Sequence, residues 1–291
     1  MYYYIINPTA GRGAINAVQD KLRSRLADLG IAGEFAKTTG PGDAAKMTQA
    51  ATQKGYTTIV AVGGDGTVNE VINGIAKENA AIGIIPLGTS NELANRLGIK
   101  NWQQACEVLA ARRLASFSLI AAGQKFFLST LTLGFETDHS KNVDIAESGL
   151  RSRLQQFQAS WNQAQHFTPL QCRVQVDDQL ELEANIFTLS LANQKFNNPL
   201  ADNRLVVSLS DRPSRAQLTG YLWRLLKKTG QPDESATTRF TANRVVIQTT
   251  PTTGIMIDGK LAGRTPMAIR LTDRRIRFIT EKQQANIKSQ L

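Results

Sequence analysis

The chain has 291 residues, about two domains' worth, and 42% of them are hydrophobic, enough for a sizeable core and too many for disorder. Two cysteines (Cys106, Cys172) and two histidines (His139, His166) exclude a disulfide scaffold and a zinc ligand set. The net charge of +10 predicts an anionic partner, and nucleic acid and an anionic membrane are the two broad candidates.

The N-terminus, Met1-Tyr-Tyr-Tyr-Ile-Ile-Asn-Pro, lacks a basic segment before an apolar core and does not read as a signal peptide. Tyr2–Ile6 reads as a buried strand, followed by the turn-rich loop Asn7-Pro-Thr-Ala-Gly-Arg-Gly13. Val18, Leu22, Leu26 and Leu29 fall at helical spacing over residues 14–29. Strands follow at 31–37, 57–62 and 81–85, with helices at 42–54, 67–76 and up to Leu97. This alternation predicts a parallel sheet with helices on both faces over residues 1–122.

The pattern changes near residue 115. Runs 115–120 and 125–133 read as a hairpin, and a helix follows at about 148–165. Strand-like runs then occur at 170–176, 180–191, 204–210, 239–249, 254–258 and 266–271, interrupted by a basic helix at 214–228. Residues 123–273 are therefore expected to form a mainly antiparallel, β-sandwich-like second domain. A last strand, within about 274–291, is free to return to either domain. No apolar run approaches the roughly 18 residues of a membrane span, and the sparse cysteines suit a cytoplasmic protein.

Three polar, glycine-bearing loops follow predicted strands: Asn7–Gly13, Gly63-Gly-Asp-Gly66 and Pro86-Leu-Gly-Thr-Ser-Asn91. Glycines admit close backbone approach, and a helix N-terminus offers unpaired N–H groups to phosphate. Ligands of open α/β sheets bind at the carboxyl ends of strands. These loops therefore suggest a nucleotide site, although they are neither a Walker loop nor a Gly-x-Gly-x-x-Gly fingerprint. Thr38 lies on the same edge. Asp65 would repel phosphate unless it serves Mg²⁺ or accepts a proton from a hydroxyl substrate; as a plain turn residue it would be a cap.

These segments resemble the diacylglycerol kinase catalytic-domain family, in particular the bacterial lipid kinases. The carriers are Asn7–Gly11, Gly63-Gly-Asp-Gly-Thr-Val-Asn69 with Glu70, Pro86–Asn91, and the weaker stretch from Asn193 to Asp202. Sphingosine kinases share the string and NAD kinases are remoter relatives. The resemblance implies an NAD kinase-like nucleotide domain, and Mg-ATP-dependent phosphorylation of a lipid hydroxyl. By position it assigns ATP to Asn7, Pro8, Thr9, Ala10, Gly11, Thr38, Gly63, Gly64, Asp65, Gly66, Thr67, Val68, Asn69, Gly88, Thr89 and Asn91. It gives Asp65 a place in the metal site or the catalytic relay, and Asp202 a structural magnesium.

The chain departs from this family at two acids. The expected Asp-Gly-Glu turn reads Asp258-Gly259-Lys260, with an ammonium where the general base belongs. Lys260 acts as a base only if burial or a cationic neighbour lowers its pKa; Asp258 is the carboxylate that survives nearby. Ser118 stands where a second aspartate is expected. A catalytically impaired nucleotide- or lipid-binding homologue is therefore the alternative reading.

The charge itself is uneven. Residues 1–122 hold 12 basic and 9 acidic side chains, 123–200 hold 6 and 8, and 201–291 hold 16 and 7. Helix 214–228 (Arg215, Arg224, Lys227, Lys228) and Arg264, Arg270, Arg274, Arg275 and Arg277 suit a peripheral contact with the inner face of an anionic membrane. Nucleic-acid binding is the third reading, without a motif to support it. A homodimer is left open.

Overall fold

The computed structural model describes residues 1–75, 80–137, 150–197, 202–227, 237–258 and 260–281. His139, Lys228, Gly259 and residues 198–201 of the fourth family segment lie outside the described residues, as do the side chains of Arg224 and Lys227. The chain forms two units: Met1–Leu128 with Lys195–Ala201 and Thr272–Leu291, and Ser129–Gln194 with Asp202–Leu271.

In the first unit, β1 (Tyr2–Ile6), β2 (Gly33–Lys37), β3 (Thr58–Gly63) and β4 (Ala81–Pro86) form a parallel sheet in the order β2-β1-β3-β4. The central strands are continuous apolar runs. Ile5, Ile6, Ile59, Val60, Ala61 and Val62 are fully buried, as a parallel sheet covered on both faces requires. The intervening helices are α1 (Ala14–Asp28), α2 (Asp43–Gln53) and α3 (Asp65–Gly74), followed by α4 (Glu92–Arg96) and α5 (Trp102–Ala111). β1 connects outward to β2, whereas β2 to β3 and β3 to β4 run the other way. Right-handed crossovers therefore put α1 on one face and α2 with α3 on the other. The helix contacts agree, with α2 against α3 and α1 against α5.

This topology has a switch point between β1 and β3, where ligands of open α/β sheets bind. The register makes that edge flush: Ile6 lies beside Lys37 and Val62, and Gly63 beside Pro86. Sequence reading missed α5. Its cap was visible, since the Asn101 side chain accepts the Gln104 N–H at 2.9 Å, and Ala105, Cys106, Val108 and Leu109 form its buried stripe.

The unit is completed by β5 (Leu114–Ala122), β6 (Lys125–Phe127) and the end of β16 (Met267–Ile279). Arg277 and Phe278 of β16 pair in parallel with Ala81 and Ile82 of β4. The runs expected at 266–271 and within 274–291 are thus one strand as far as Ile279. Thr272 holds it through the gap: it is buried and donates to the Leu119 carbonyl at 2.8 Å.

The second unit is antiparallel, as expected. β7 (Thr130–Gly134), β10 (Thr188–Asn193), β11 (Leu205–Ser210), β12 (Thr237–Ala242), β14 (Gly254–Ile257) and β15 (Lys260–Arg264) form one sheet in the order β12-β11-β10-β7-β14-β15. β8 (Leu170–Val176), β9 (Leu180–Ile186) and β13 (Arg244–Thr250) join the first residues of β16. The helices are α6 (Leu150–His166), α7 (Gln194–Asn197), whose Gln194 alone falls in this unit, and α8 (Arg215–Lys227).

Three expected strands are each divided. The run 180–191 breaks at Phe187, which is buried and stacks on Phe135 at 4.8 Å. The run 239–249 breaks at Asn243, whose N–H donates to Asp177 Oδ1 at 2.8 Å. The expected hairpin arm 125–133 splits into β6, paired with β5, and β7, paired with β10 and β14. β15 was not anticipated.

Candidate functional site in the first unit

At the switch point, the loops after β1, β3 and β4 are tied to one another. The Asn7 N–H donates to the Val62 carbonyl at 3.0 Å, and Asn7 Nδ2 donates to Thr67 Oγ1 at 3.1 Å. Asn7 Oδ1 accepts both the N–H and the hydroxyl of Thr9, at 3.1 and 2.9 Å. Gly11 has φ +57°, and a Cβ there would overlap the Leu87 carbonyl oxygen, so the first loop closes on the third only because this residue is glycine. A Cβ on Gly88 would likewise overlap Gly64 Cα. The Leu87 N–H donates to the Gly63 carbonyl at 3.0 Å, and the Thr38 N–H to the Ile6 carbonyl at 2.9 Å.

Asp65 opens α3 but caps α4. Its Oδ2 accepts the Glu92 N–H at 3.1 Å and its Oδ1 accepts the Leu93 N–H at 3.0 Å. A carboxylate satisfies orphan first-turn donors well. Asn91, in the left-handed region at φ 49°, closes the third loop. It accepts the Gly88 N–H at 2.9 Å and donates to the Gly88 carbonyl at 2.8 Å.

Several side chains expected to touch a nucleotide also position the loops. Asn7, Asp65 and Asn91 bind neighbouring backbone or side chains. Val68 is buried in the apolar core, so its side chain belongs to packing. Thr67 is buried beneath Asn7. Asn69 shares one N–H of Asn73 Nδ2 between its carbonyl, at 2.8 Å, and its Oδ1, at 2.9 Å. Pro8, Ala10 and Gly66 are half-buried, while Thr9 and Thr89 are exposed. The N–H groups of Asp65 and Gly66, in the first turn of α3, have no intrahelical partner, and the helix dipole adds positive potential there. The arrangement is suited to an anion such as phosphate.

Sequence reading missed two supports. Glu70 Oε2 accepts the Ala44 N–H at 3.2 Å, which makes α3 a cap for α2. Asp43 closes the loop after Thr38 by accepting the Thr39 N–H at 2.9 Å, the Thr39 hydroxyl at 2.6 Å and the Gly40 N–H at 3.0 Å. These bonds, the Thr39 hydroxyl foremost, hold the Asp43 carboxyl below its ordinary pKa. The Glu at the end of the family string and the Thr-x-x-x-Asp spacing were the available signals.

Asp258, Lys260 and Asp202 are residues of the second unit. Asp258 occupies the β14–β15 turn with φ 52°; its Oδ1 accepts the Ser129 hydroxyl and, at 3.3 Å, the Thr130 N–H. Lys260 begins β15 and is exposed, so one of the two conditions named for a base lysine, burial, is not met. Ser118 is buried in β5. Asp202 is exposed, and its carbonyl accepts the Arg204 N–H at 3.0 Å. Among the described residues no three His, Cys, Asp or Glu side chains come together as a metal cluster. No helix among them is long and apolar enough to cross a membrane.

The comparisons agree with this geometry. Over 289 residues the chain is 23% identical to a diacylglycerol kinase of Staphylococcus haemolyticus, covering 96% of this chain and 87% of the relative. It is 25% identical to a diacylglycerol kinase of Bacillus subtilis over 194 residues, 65% of this chain and 64% of the relative. Among solved structures, a diacylglycerol kinase from Bacillus anthracis superposes with a TM-score of 0.70 at 20% identity, covering 96% of each chain. That likeness shows the fold. The diacylglycerol kinase catalytic domain matches residues 1–122, the stretch that holds all three tied loops. Those 122 residues are a member of the diacylglycerol kinase catalytic-domain family.

Proposed function

We propose that the chain is a lipid kinase that transfers the terminal phosphoryl group of ATP to a hydroxyl of diacylglycerol or a related membrane lipid. The observation that carries this reading is the loop cluster at the switch point, where Asn7–Thr67, Gly64–Gly88 and Asp65–α4 contacts lock three loops around the N-terminus of α3. In the reaction the lipid oxygen bonds to the γ-phosphorus, the bond to the β-phosphate bridge breaks, ADP leaves, and the hydroxyl proton passes to a base. Phosphoryl transfer asks the protein mainly for positioning and charge neutralisation.

Magnesium, arriving with ATP, supplies charge neutralisation on the phosphates. It commonly needs only one or two protein carboxylates. Asp65 fits as one, because two N–H bonds leave acceptor capacity on an ionised carboxylate. The cationic last third supports a peripheral site at the inner face of an anionic membrane.

The test is transfer of label from Mg-ATP to vesicles containing phosphatidylglycerol and diacylglycerol. Labelled phosphatidic acid is the expected product, and it falls steeply in Asp65→Asn, which lacks the carboxylate charge offered to magnesium. Equal labelling by parent and variant sinks the role given to Asp65; no labelling of any lipid sinks the kinase reading.

A second reading, nucleotide binding without efficient transfer, is favoured by the exposed ammonium of Lys260 and the local engagement of Asp258. It predicts a melting temperature raised by Mg-ATP with no turnover. Sustained turnover by the parent chain rules it out.

A further inference from the structure

The far end of α3 is held by polar ties that neither the motif nor the topology explains. Asn73 Nδ2 donates to the Phe126 carbonyl at 2.8 Å, and the Phe126 N–H donates back to Asn73 Oδ1 at 2.9 Å. One side-chain amide thus satisfies both backbone groups of a β6 residue, as a neighbouring strand would. Arg274, on β16, donates through Nη2 to the carbonyl of Ile75, the residue that closes α3. Its guanidinium lies 4.7 Å from the centroid of the Phe126 ring. Residues distant in sequence meet at one helix end, all within the first unit.

We infer that Asn73 and Arg274 are positioning residues that set the axial register of α3, and through it the nucleotide loop Gly63–Thr67. This rests on the reading of that loop as a nucleotide site. The reasoning is geometric. α3 has 10 residues and little stability of its own, so its placement comes from its contacts. Its packed face is apolar, with Val68, Val71 and Ile72 buried, and the lateral bond towards α2, from the Ala44 N–H to Glu70, is a long 3.2 Å. Apolar packing is non-directional and leaves small slides along the axis cheap. Hydrogen bonds are confined to about 2.7–3.2 Å, and they fix the slide. The Asn73 pair and the Arg274 bond act at the C-terminal end, whereas the Asp65 bonds act at the N-terminal end. Arg274 also meets an orphan carbonyl at the negative end of the helix dipole. A loosened C-terminal end transmits its shift along a rigid helix to Gly64 and Asp65.

The test compares Mg-ATP affinity by calorimetry at 15 °C, and melting temperature, in the parent and in Asn73→Ala, Arg274→Lys and Leu22→Ala. Arg274→Lys keeps the charge but gives up the planar face on Phe126, and is the milder variant. Leu22 is a buried α1 residue away from the loops, so Leu22→Ala controls for general destabilisation. Because misaligning one hydrogen bond to a charged group costs about 1.5–3 kcal/mol, the Kd for Mg-ATP is expected to weaken roughly 10- to 100-fold in Asn73→Ala and Arg274→Lys. It stays at the parent value in Leu22→Ala, although that variant melts earlier. Parent-like affinity in both Asn73→Ala and Arg274→Lys, or equal weakening in Leu22→Ala, overturns the inference while leaving the nucleotide reading intact. A parent chain that does not bind Mg-ATP overturns both.

Discussion

Asp65→Ala separates a capping role from a chemical one. The substitution removes both carboxylate oxygens from the Glu92 and Leu93 N–H groups, at 3.1 and 3.0 Å. Hydrogen bonds to charged groups contribute about 1.5–3 kcal/mol each when shielded. Here α4 is short and partly exposed, so the lower scale of N-cap substitutions applies, and the loss is about 2 kcal/mol. For a folding unit of about 150 residues that corresponds to a fall in melting temperature of roughly 4–8 °C. Asp65→Asn keeps one acceptor and turns an N–H₂ toward the other donor, so it should fall about half as far. Circular dichroism melts at neutral pH measure both. An Asp65→Ala variant that melts within about 1 °C of the parent, against the N-cap scale, would refute the capping assignment. If capping is the whole role of Asp65, labelling by the folded variant at 15 °C matches the parent.

Other outcomes follow from the same geometry. Gly88→Ala forces a Cβ onto Gly64 backbone and should cost about 1–3 kcal/mol, with weaker Mg-ATP binding in calorimetry. Lys260→Glu, at an exposed strand start, should change stability by less than about 0.5 kcal/mol, whereas Ser118→Asp buries a carboxylate in β5 and should cost about 2 kcal/mol or more; denaturant titrations distinguish them. The lowered pKa of Asp43 means that its ionised form stabilises the fold above the unfolded value of 3.8, and that this is lost as pH falls through the lower folded value. Asp43→Asn should therefore melt earlier than the parent at pH 7, with the gap closing as the pH falls below 3.8. Burial pushes the thiol of Cys106 up to about 11 and that of Cys172 up to about 12, so neither should be alkylated at pH 8 until denaturant is added.

What could be read ahead depended on whether the cause was local. β1, β3 and β4 were legible because their residues are buried on both faces and carry no polar interruption. The three loops were legible as a site because glycine, asparagine and aspartate cluster after strands. Their mutual bonds were not. Asn7 and Thr67 are 60 positions apart, and no pattern in either segment states the pairing. Asp65 was read as a ligand or a cap of its own turn, whereas the carboxylate serves a helix 27 residues later. Arg274 reads in the sequence as one more cation of the basic last third, and nothing near it in the chain announces that its guanidinium meets Ile75 and Phe126. β16 looked like two strands because Thr272 and Asp273 break its apolar pattern, and the carbonyl that compensates Thr272 belongs to β5.

The double membership of β16 has a consequence for synthesis. Its end lies beside β4, yet Phe278 leaves the ribosome about 200 residues after Ile82. At about 5–20 residues per second, β4 waits roughly 10–40 s for its neighbour. Throughout that interval a fully apolar strand, Ala81–Pro86, presents an open hydrogen-bonding edge. The nascent chain is most prone to wrong pairing at the strand that later carries the third loop. A premature stop before Arg277 would make that exposure permanent, and aggregation rather than a shortened kinase is its expected product.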